Sequence, residues 1–367
     1  FLLYRLGHKP SAIVLTFITV GALLSGWITD MAVAAMLMPI AVRILRDAKV
    51  KPLESNFGRV LLISCAWGPL VGGVATPAGC GPNPLTMSFL KDLAHIDFSF
   101  VDWMLLGFPA TILMIPCAWF ILLKVFPLEA INLVVAEADF KTQREELGRF
   151  KKDEVVTLCI FVLTVFLWIC GKGIAQWTGG AIDYLGIRFV AIACACLFFV
   201  PGLGVISWKE AEKEISWGGI VLIATGLSIG MAIYKTGAAA WMAQVAFSKL
   251  ELLHPVMIIF AVVLGVSIMK VMFSSNTVTG IIMVPLLIAL AHQIDLDPVL
   301  LAIPAGITSS LAFILVTSTP TNVIPYSAGY FTIKDMAQAG IWMTLASSVC
   351  VTVSITVMGK LTGIVTW

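Results

Sequence analysis

Apolar runs separated by short polar connections fill the chain from end to end. Those at 59–78, 103–126, 155–171, 187–203, 217–234, 298–317 and 338–358 approach the roughly 20 residues that cross about 30 Å of hydrocarbon as a helix. Two further regions follow another plan. Residues 12–28 and 31–45 are apolar arms on either side of Thr29 and Asp30, and 256–273 and 278–294 flank Ser274 to Thr277 in the same way. Each pair of arms predicts a helical hairpin whose tip lies inside the protein.

A second irregularity interrupts two of the long runs. TPAGCGPNP at 76–84 and TSTPTNVIP at 317–325 place Gly, Pro, Thr and Asn where a helix should continue. Proline lacks the backbone donor and glycine weakens a helix, so both stretches predict unwound helices. Such backbone at membrane depth must be buried or line a cavity. The hairpins and breaks also repeat. Asp30 and Asn276 are 246 positions apart (276 less 30), as are Pro39 and Pro285, and Asn83 and Asn322 are 239 apart (322 less 83). Hairpin, broken helix and final span follow in that order twice. Broken helices at matching places in two halves point to the binding site of a secondary transporter.

Composition agrees with a membrane location. Hydrophobic residues make up 59% and charged residues 12%, about half the charge of a soluble domain. The expected fold is an all-α polytopic membrane protein with inverted repeats, each holding a re-entrant helical hairpin and a broken transmembrane helix. A net charge of +2 gives no reason to expect a nucleic-acid partner. Eight cysteines lie scattered in apolar segments without a C-x-x-C pair, and the four histidines stand apart, so cysteines read as small core residues and no metal site is expected. The tryptophans read as interface anchors or packing, and Thr225, Ser228 and Gly230 as a helix-packing stretch. The chain enters an apolar segment at Phe1, which reads as the later part of a longer protein whose first helices precede it.

Charge sets the orientation. Arg43, Arg46, Lys49, Lys51 and Arg59 follow the first hairpin, and Lys141, Arg144, Arg149, Lys151 and Lys152 form another basic segment. Asp92, Asp97 and Asp102 follow the first break, and Asp295 and Asp297 the second hairpin. Basic loops prefer the cytoplasm, so the first hairpin opens inward and the second outward. The resulting division is 1–58, first hairpin; 59–126, first broken helix and following span; 127–152, cytoplasmic interfacial helix or linker; 153–255, scaffold and connecting helices; 256–297, second hairpin; and 298–367, second broken helix and last span.

The chemistry resides in the four interruptions. After each, an apolar helix starts again behind Ser, Thr, Asp, Asn or Pro, the residues that suit a helix start. A helix start carries free N–H groups and about half a positive charge. Four such starts at mid-membrane would bind a small anion, with Asn83 among its partners, and the carbonyl ends of the preceding half-helices would suit sodium. SSNT at 274–277 alone could bridge helices; four interruptions in matched pairs favour a site. A channel would need a continuous polar stripe, and a membrane enzyme would need a nucleophile or metal ligands; neither pattern is present.

These residues resemble the divalent anion:sodium symporter family, the INDY-like dicarboxylate transporters. Its signature is a Ser-Asn-Thr triplet at each of two hairpin tips and a Pro- and Asn-containing break in each of two following helices. The second half matches through Ser275, Asn276 and Thr277, then Thr319, Pro320 and Asn322. The resemblance implies substrate contacts from Thr29, Asp30, Ser275, Asn276, Thr277, Thr319 and Pro320. It implies one sodium at Ser25, Thr29, Asp30 and the Gly79 carbonyl, and a second at Ser274, Asn276 and Ser318 with position 271. The first half departs: Asp30 stands for the first Asn, Met31 for the first Thr and Gly81 for a Pro, while Val271 offers no hydroxyl. Lys270 is an intramembrane charge, functional by default. Lys270 and Asp30 are expected to share one site, either as a coupling device in which the ammonium replaces a bound cation, or as a static ion pair.

The expected function is secondary active transport of small divalent anions by alternating access, C4-type dicarboxylates first and sulfate or another oxyanion second. Coupling is to sodium, to protons or by exchange. Sodium is the only ion expected to be bound and no organic cofactor is expected. The partners are the anion, the bilayer of an inner membrane and, by resemblance, a second copy in a homodimer. An anion channel is the alternative of another class.

Overall fold

The computed structural model describes residues 9–129, 151–177, 186–202, 204–215, 217–247 and 253–365. Among them, ordered structure is helical, with no strand. Most of the interfacial helix or linker expected at 127–152 lies outside the described residues.

The chain divides into two units. The larger contains residues 1–98, 102–140 and 225–367. It opens with helices α1 (Pro10–Ser25) and α2 (Asp30–Asp47), the arms of the first hairpin, followed by α3 (Asn56–Gly73), α4 (Pro82–Ala94) and α5 (Phe100–Val125). At about 1.5 Å per residue, the 16 residues of α1 extend some 24 Å, short of the hydrocarbon thickness. A proline at the start and the small pair Ser25 and Gly26 at the end delimit α1. α1 lies so close along α3 that a Cβ on Gly72 would meet the Ala22 carbonyl oxygen. Only glycine permits that approach.

The smaller unit covers 99–101 and 141–224. It includes α6 (Lys152–Trp177), α7 (Ile187–Leu197) and α8 (Trp208–Glu214). Ile160, Val190 and Cys194 form its core, and Trp168 stacks on Phe100 with centroids 5.1 Å apart. The span expected at 187–203 is instead 11 residues of helix, ended where FFVPG introduces a proline and Gly202 at φ 85°. At about 1.5 Å per residue, that helix cannot cross a bilayer.

The chain continues with α9 (Trp217–Lys235), α10 (Ala238–Phe247), the second hairpin arms α11 (Pro255–Lys270) and α12 (Asn276–Gln293), then α13 (Val299–Ser309), α14 (Pro320–Tyr326) and α15 (Ile333–Thr362). Pro39 lies within α2 and Pro285 within α12. α12 is apolar enough to span, yet 72% of its apolar window is buried inside the protein, as a re-entrant arm requires. In contrast, α6 and α9 present mostly exposed apolar surface, which suits lipid. The packing stretch expected at Thr225, Ser228 and Gly230 works through Gly226 and Gly230, both buried, while Thr225 and Ser228 are exposed.

Each half reaches into the other. α4, which follows the first break, lies against α12 of the second hairpin and against α13, while α14, which follows the second break, lies against α2 and α3. One end of the larger unit is fastened by polar contacts. Glu129 accepts hydrogen bonds from the backbone N–H groups of Asn56 at 2.7 Å and Phe57 at 3.2 Å and from the Ser55 hydroxyl at 3.0 Å, capping α3 from a distant part of the chain. Arg59 donates to the Leu53 carbonyl at 2.5 Å and pairs with Asp335 at 3.5 Å. The connections near 55, 129 and 335 thus meet at one place.

Candidate functional site

The two breaks are built alike. In the first, helix stops at Gly73 and resumes at Pro82. In the second it stops at Ser309 and resumes at Pro320 after a single 3-10 turn at Val316–Ser318. The apolar span expected to run unbroken through 298–317 is therefore corrected: LAFIL at 311–315 is unwound although its residues are apolar. The cause is a side chain. The Asn322 amide donates to the carbonyls of Ala312 at 2.7 Å and Leu315 at 3.1 Å, ten and seven residues earlier. The Asn83 amide donates to Gly73 at 2.8 Å and Thr76 at 2.7 Å, again ten and seven residues earlier. Both asparagines are fully buried. Each supplies the donors that an interrupted helix no longer offers its carbonyls. Asn83, expected at the substrate, thus spends its amide nitrogen on the backbone.

The hairpin tips lie between these breaks. α2 begins at Asp30 and α12 at Asn276, and the Asn276 amide donates to the Asp30 carboxylate at 3.2 Å, linking positions 246 apart. The second Asp30 oxygen accepts the Met31 backbone N–H at 2.8 Å, so α2 starts on its own negative charge. Cys80, from the first break, donates its thiol to the same carboxylate at 3.7 Å and lies 3.6 Å from the Asn276 amide. The Thr321 hydroxyl, just past the second break, also reaches Asp30. Four interruptions therefore converge on one carboxylate.

The first tip and first break interlock. The Asp30 backbone N–H donates to the Gly79 carbonyl at 3.3 Å, and the Thr76 hydroxyl donates to the Gly26 carbonyl. A Cβ on Gly79 would stand 2.5 Å from the carbonyl oxygens of both Gly73 and Ser25. The Ser25 hydroxyl is fully buried and has no hydrogen-bond partner among the described residues. It and the Gly79 carbonyl each lie 3.4 Å from the place a Cβ on Gly73 would take. An orphaned hydroxyl and a carbonyl at a glycine-made recess, with the residue that bonds that carbonyl carrying a carboxylate, are oxygen donors that suit a small hard cation.

The second tip is different. Lys270, 2% exposed, donates its ammonium to the Ser318 carbonyl at 2.7 Å. No direct ion pair joins it to Asp30 among the described residues, yet each of the two charges acts on the other, so both lie in one neighbourhood while the ammonium itself is held by a carbonyl dipole. Ser275 caps α12 by accepting the Val278 N–H at 3.5 Å, and a Cβ on Gly81 would stand 2.7 Å from the Thr277 hydroxyl, bringing that residue to the first break. Thr319 donates to Thr321 at 3.4 Å. Thr29, Ser274 and Pro320 lie on the exposed rim. α14 has seven residues, so its start carries little dipole, and of the four helix starts expected to attract an anion those of α2, α4 and α12 are fully formed.

Sequence comparison fits this geometry. The family model for the sodium:sulfate symporter transmembrane region matches residues 1–365. The chain belongs to that family. A sodium-dependent dicarboxylate transporter, SdcS, of Staphylococcus saprophyticus is 27% identical over 363 residues, covering 94% of this chain and 69% of that protein. SdcS of Staphylococcus aureus strain NCTC 8325 is 27% identical over 364 residues with the same coverage. Family membership and the apolar helices make the protein a multi-pass membrane transporter rather than an enzyme. Within that family frame, sequence reasoning overlooked Cys80 and gave Thr321 no role. Both stand inside the quoted break motifs, so their proximity to the tips was the available signal.

Proposed function

We propose that the protein is a secondary active transporter that moves small divalent anions, C4-type dicarboxylates before sulfate, by alternating access with sodium as coupling ion. The observation that carries this reading is the meeting of both hairpin tips and both breaks at Asp30 and Asn276, 3.2 Å apart. A buried carboxylate there repels an anion unless a cation neutralises it, which ties anion binding to cation binding. Ser25, Asp30 and the Gly79 carbonyl hold that cation. Ser275, Asn276, Thr277, Thr319 and Thr321 face the anion, whose charge the α12 start favours. The names of the two staphylococcal relatives support sodium and dicarboxylate together.

The hairpins and broken helices (1–58, 59–126, 256–297 and 298–367) form the moving part, inverted relative to each other across the membrane, and the protein works as a homodimer. The test is uptake of labelled succinate into proteoliposomes, with sulfate and other dianions as competitors at varied sodium and pH. Saturable, sodium-dependent uptake with counterflow is expected. Sulfate displacing succinate at lower concentration would move the substrate to the oxyanion class, and flux without counterflow would make the protein a channel.

A further inference from the structure

The repeat allows the two halves to be compared atom by atom at their cation-binding ends. The separation that relates Asn83 to Asn322 relates Gly79 to Ser318 as well (318 less 79). The carbonyls of these two residues therefore occupy matching places in the two breaks. In the first half, the carbonyl lies beside the orphaned Ser25 hydroxyl and accepts the Asp30 backbone N–H at 3.3 Å, and among the described residues no positive side chain is seen to bond it. In the second half, the matching carbonyl accepts the Lys270 ammonium at 2.7 Å. The tip residues differ in charge too: Asp30 carries a carboxylate, and its counterpart Asn276 is neutral.

We infer that the Lys270 ammonium is a tethered cation in the second half, standing where the first half takes an exchangeable one, so that each anion is carried with a single sodium. This rests on the transport reading above and deepens it. A unit charge on a carbonyl, buried to 2% exposure, does what a bound alkali ion would do there. A mobile cation at the same carbonyl would have to sit beside a fixed like charge in a low-dielectric place, which disfavours it strongly. The side chain of Val271, next in sequence, brings no oxygen that could help to hold one.

The test counts sodium directly. Equilibrium binding of radiolabelled sodium to the purified full chain, with saturating succinate, is expected to give one ion per chain. Sodium dependence of succinate uptake should show a Hill coefficient of about one. Lys270→Ala empties the second carbonyl and should raise the sodium count and the coefficient toward two, or lower succinate affinity by about tenfold or more, whereas Lys270→Arg should retain a count of one. Two ions per wild-type chain, or none, overturns the inference, as does Lys270→Ala with unchanged count and affinity. If Lys270→Ala does not fold, the wild-type count decides alone. Absence of any succinate counterflow would instead overturn the transport reading, and the sodium count per chain would still be read.

Discussion

Replacing either clamp asparagine by alanine should unfold the protein early, and by similar amounts. Asn322→Ala removes both donors from the Ala312 and Leu315 carbonyls, and Asn83→Ala does the same for Gly73 and Thr76. Both asparagines are fully buried, so water does not readily replace the lost donors. A buried acceptor left unpartnered costs about 1–3 kcal/mol, which for two carbonyls gives about 4 kcal/mol per variant. At about 2–4 °C per kcal/mol, the melting temperature falls by about 10 °C. Tryptophan fluorescence of the detergent-solubilised protein reads this well. Trp103 donates to the Val74 carbonyl at 3.0 Å beside the first break, and Trp67 meets Phe313 of the second edge-on with centroids 5.4 Å apart. Asn322→Asp keeps the shape but not the donors, and should lose at least as much. A melting temperature within about 2 °C of wild type for either alanine variant would refute the clamp, and so would a large loss in one with none in the other.

Three further outcomes follow from the same contacts. Gly79→Ala forces a methyl group against two backbone carbonyls at 2.5 Å, so sodium-dependent uptake should drop by about tenfold or more, measured as initial rate per folded protein. Asp30→Asn keeps the shape and removes the charge; sodium stimulation of uptake should disappear, and a variant with unchanged sodium dependence would remove Asp30 from the cation site. Glu129→Gln weakens the cap on α3 and should cost about 1 kcal/mol at neutral pH, seen as a lower melting temperature. Partial burial of Glu129 works to raise its titration point, but the hydrogen bonds from Asn56, Phe57 and Ser55 prevail and hold its carboxyl below the usual range. Its contribution is therefore complete above the ordinary glutamate range and is lost as pH falls through the lowered value. Glu129→Gln should flatten that part of the acid-side profile.

The parts of the fold written in strong local chemistry were the parts readable in advance. Asp30 and Asn276 as helix starts, the hairpin arms and the two broken helices are marked by polar residues where lipid-facing sequence has none. LAFIL at 311–315 escaped notice because its unwinding is dictated by Asn322, seven to ten residues downstream, and apolar periodicity carries no trace of such a bond. Cys80 looked like a small core residue until the hairpin tips placed Asp30 and Asn276 on either side of its sulfur. Lys270 announced itself as a charge in the wrong solvent. Its partner could not be read, because a backbone carbonyl is the same in every sequence. The 11-residue α7 was overpredicted because FFVPG extends the apolar run past the point where Pro201 and Gly202 end the helix.

The paired clamps also act as rulers. Because each asparagine grips carbonyls at two set distances behind it, the loop it closes has one permitted length. A single inserted or deleted residue between 73 and 83, or between 312 and 322, would leave the amide reaching for the wrong atom. The span of each loop is thus set by geometry, independently of the demands its individual residues meet.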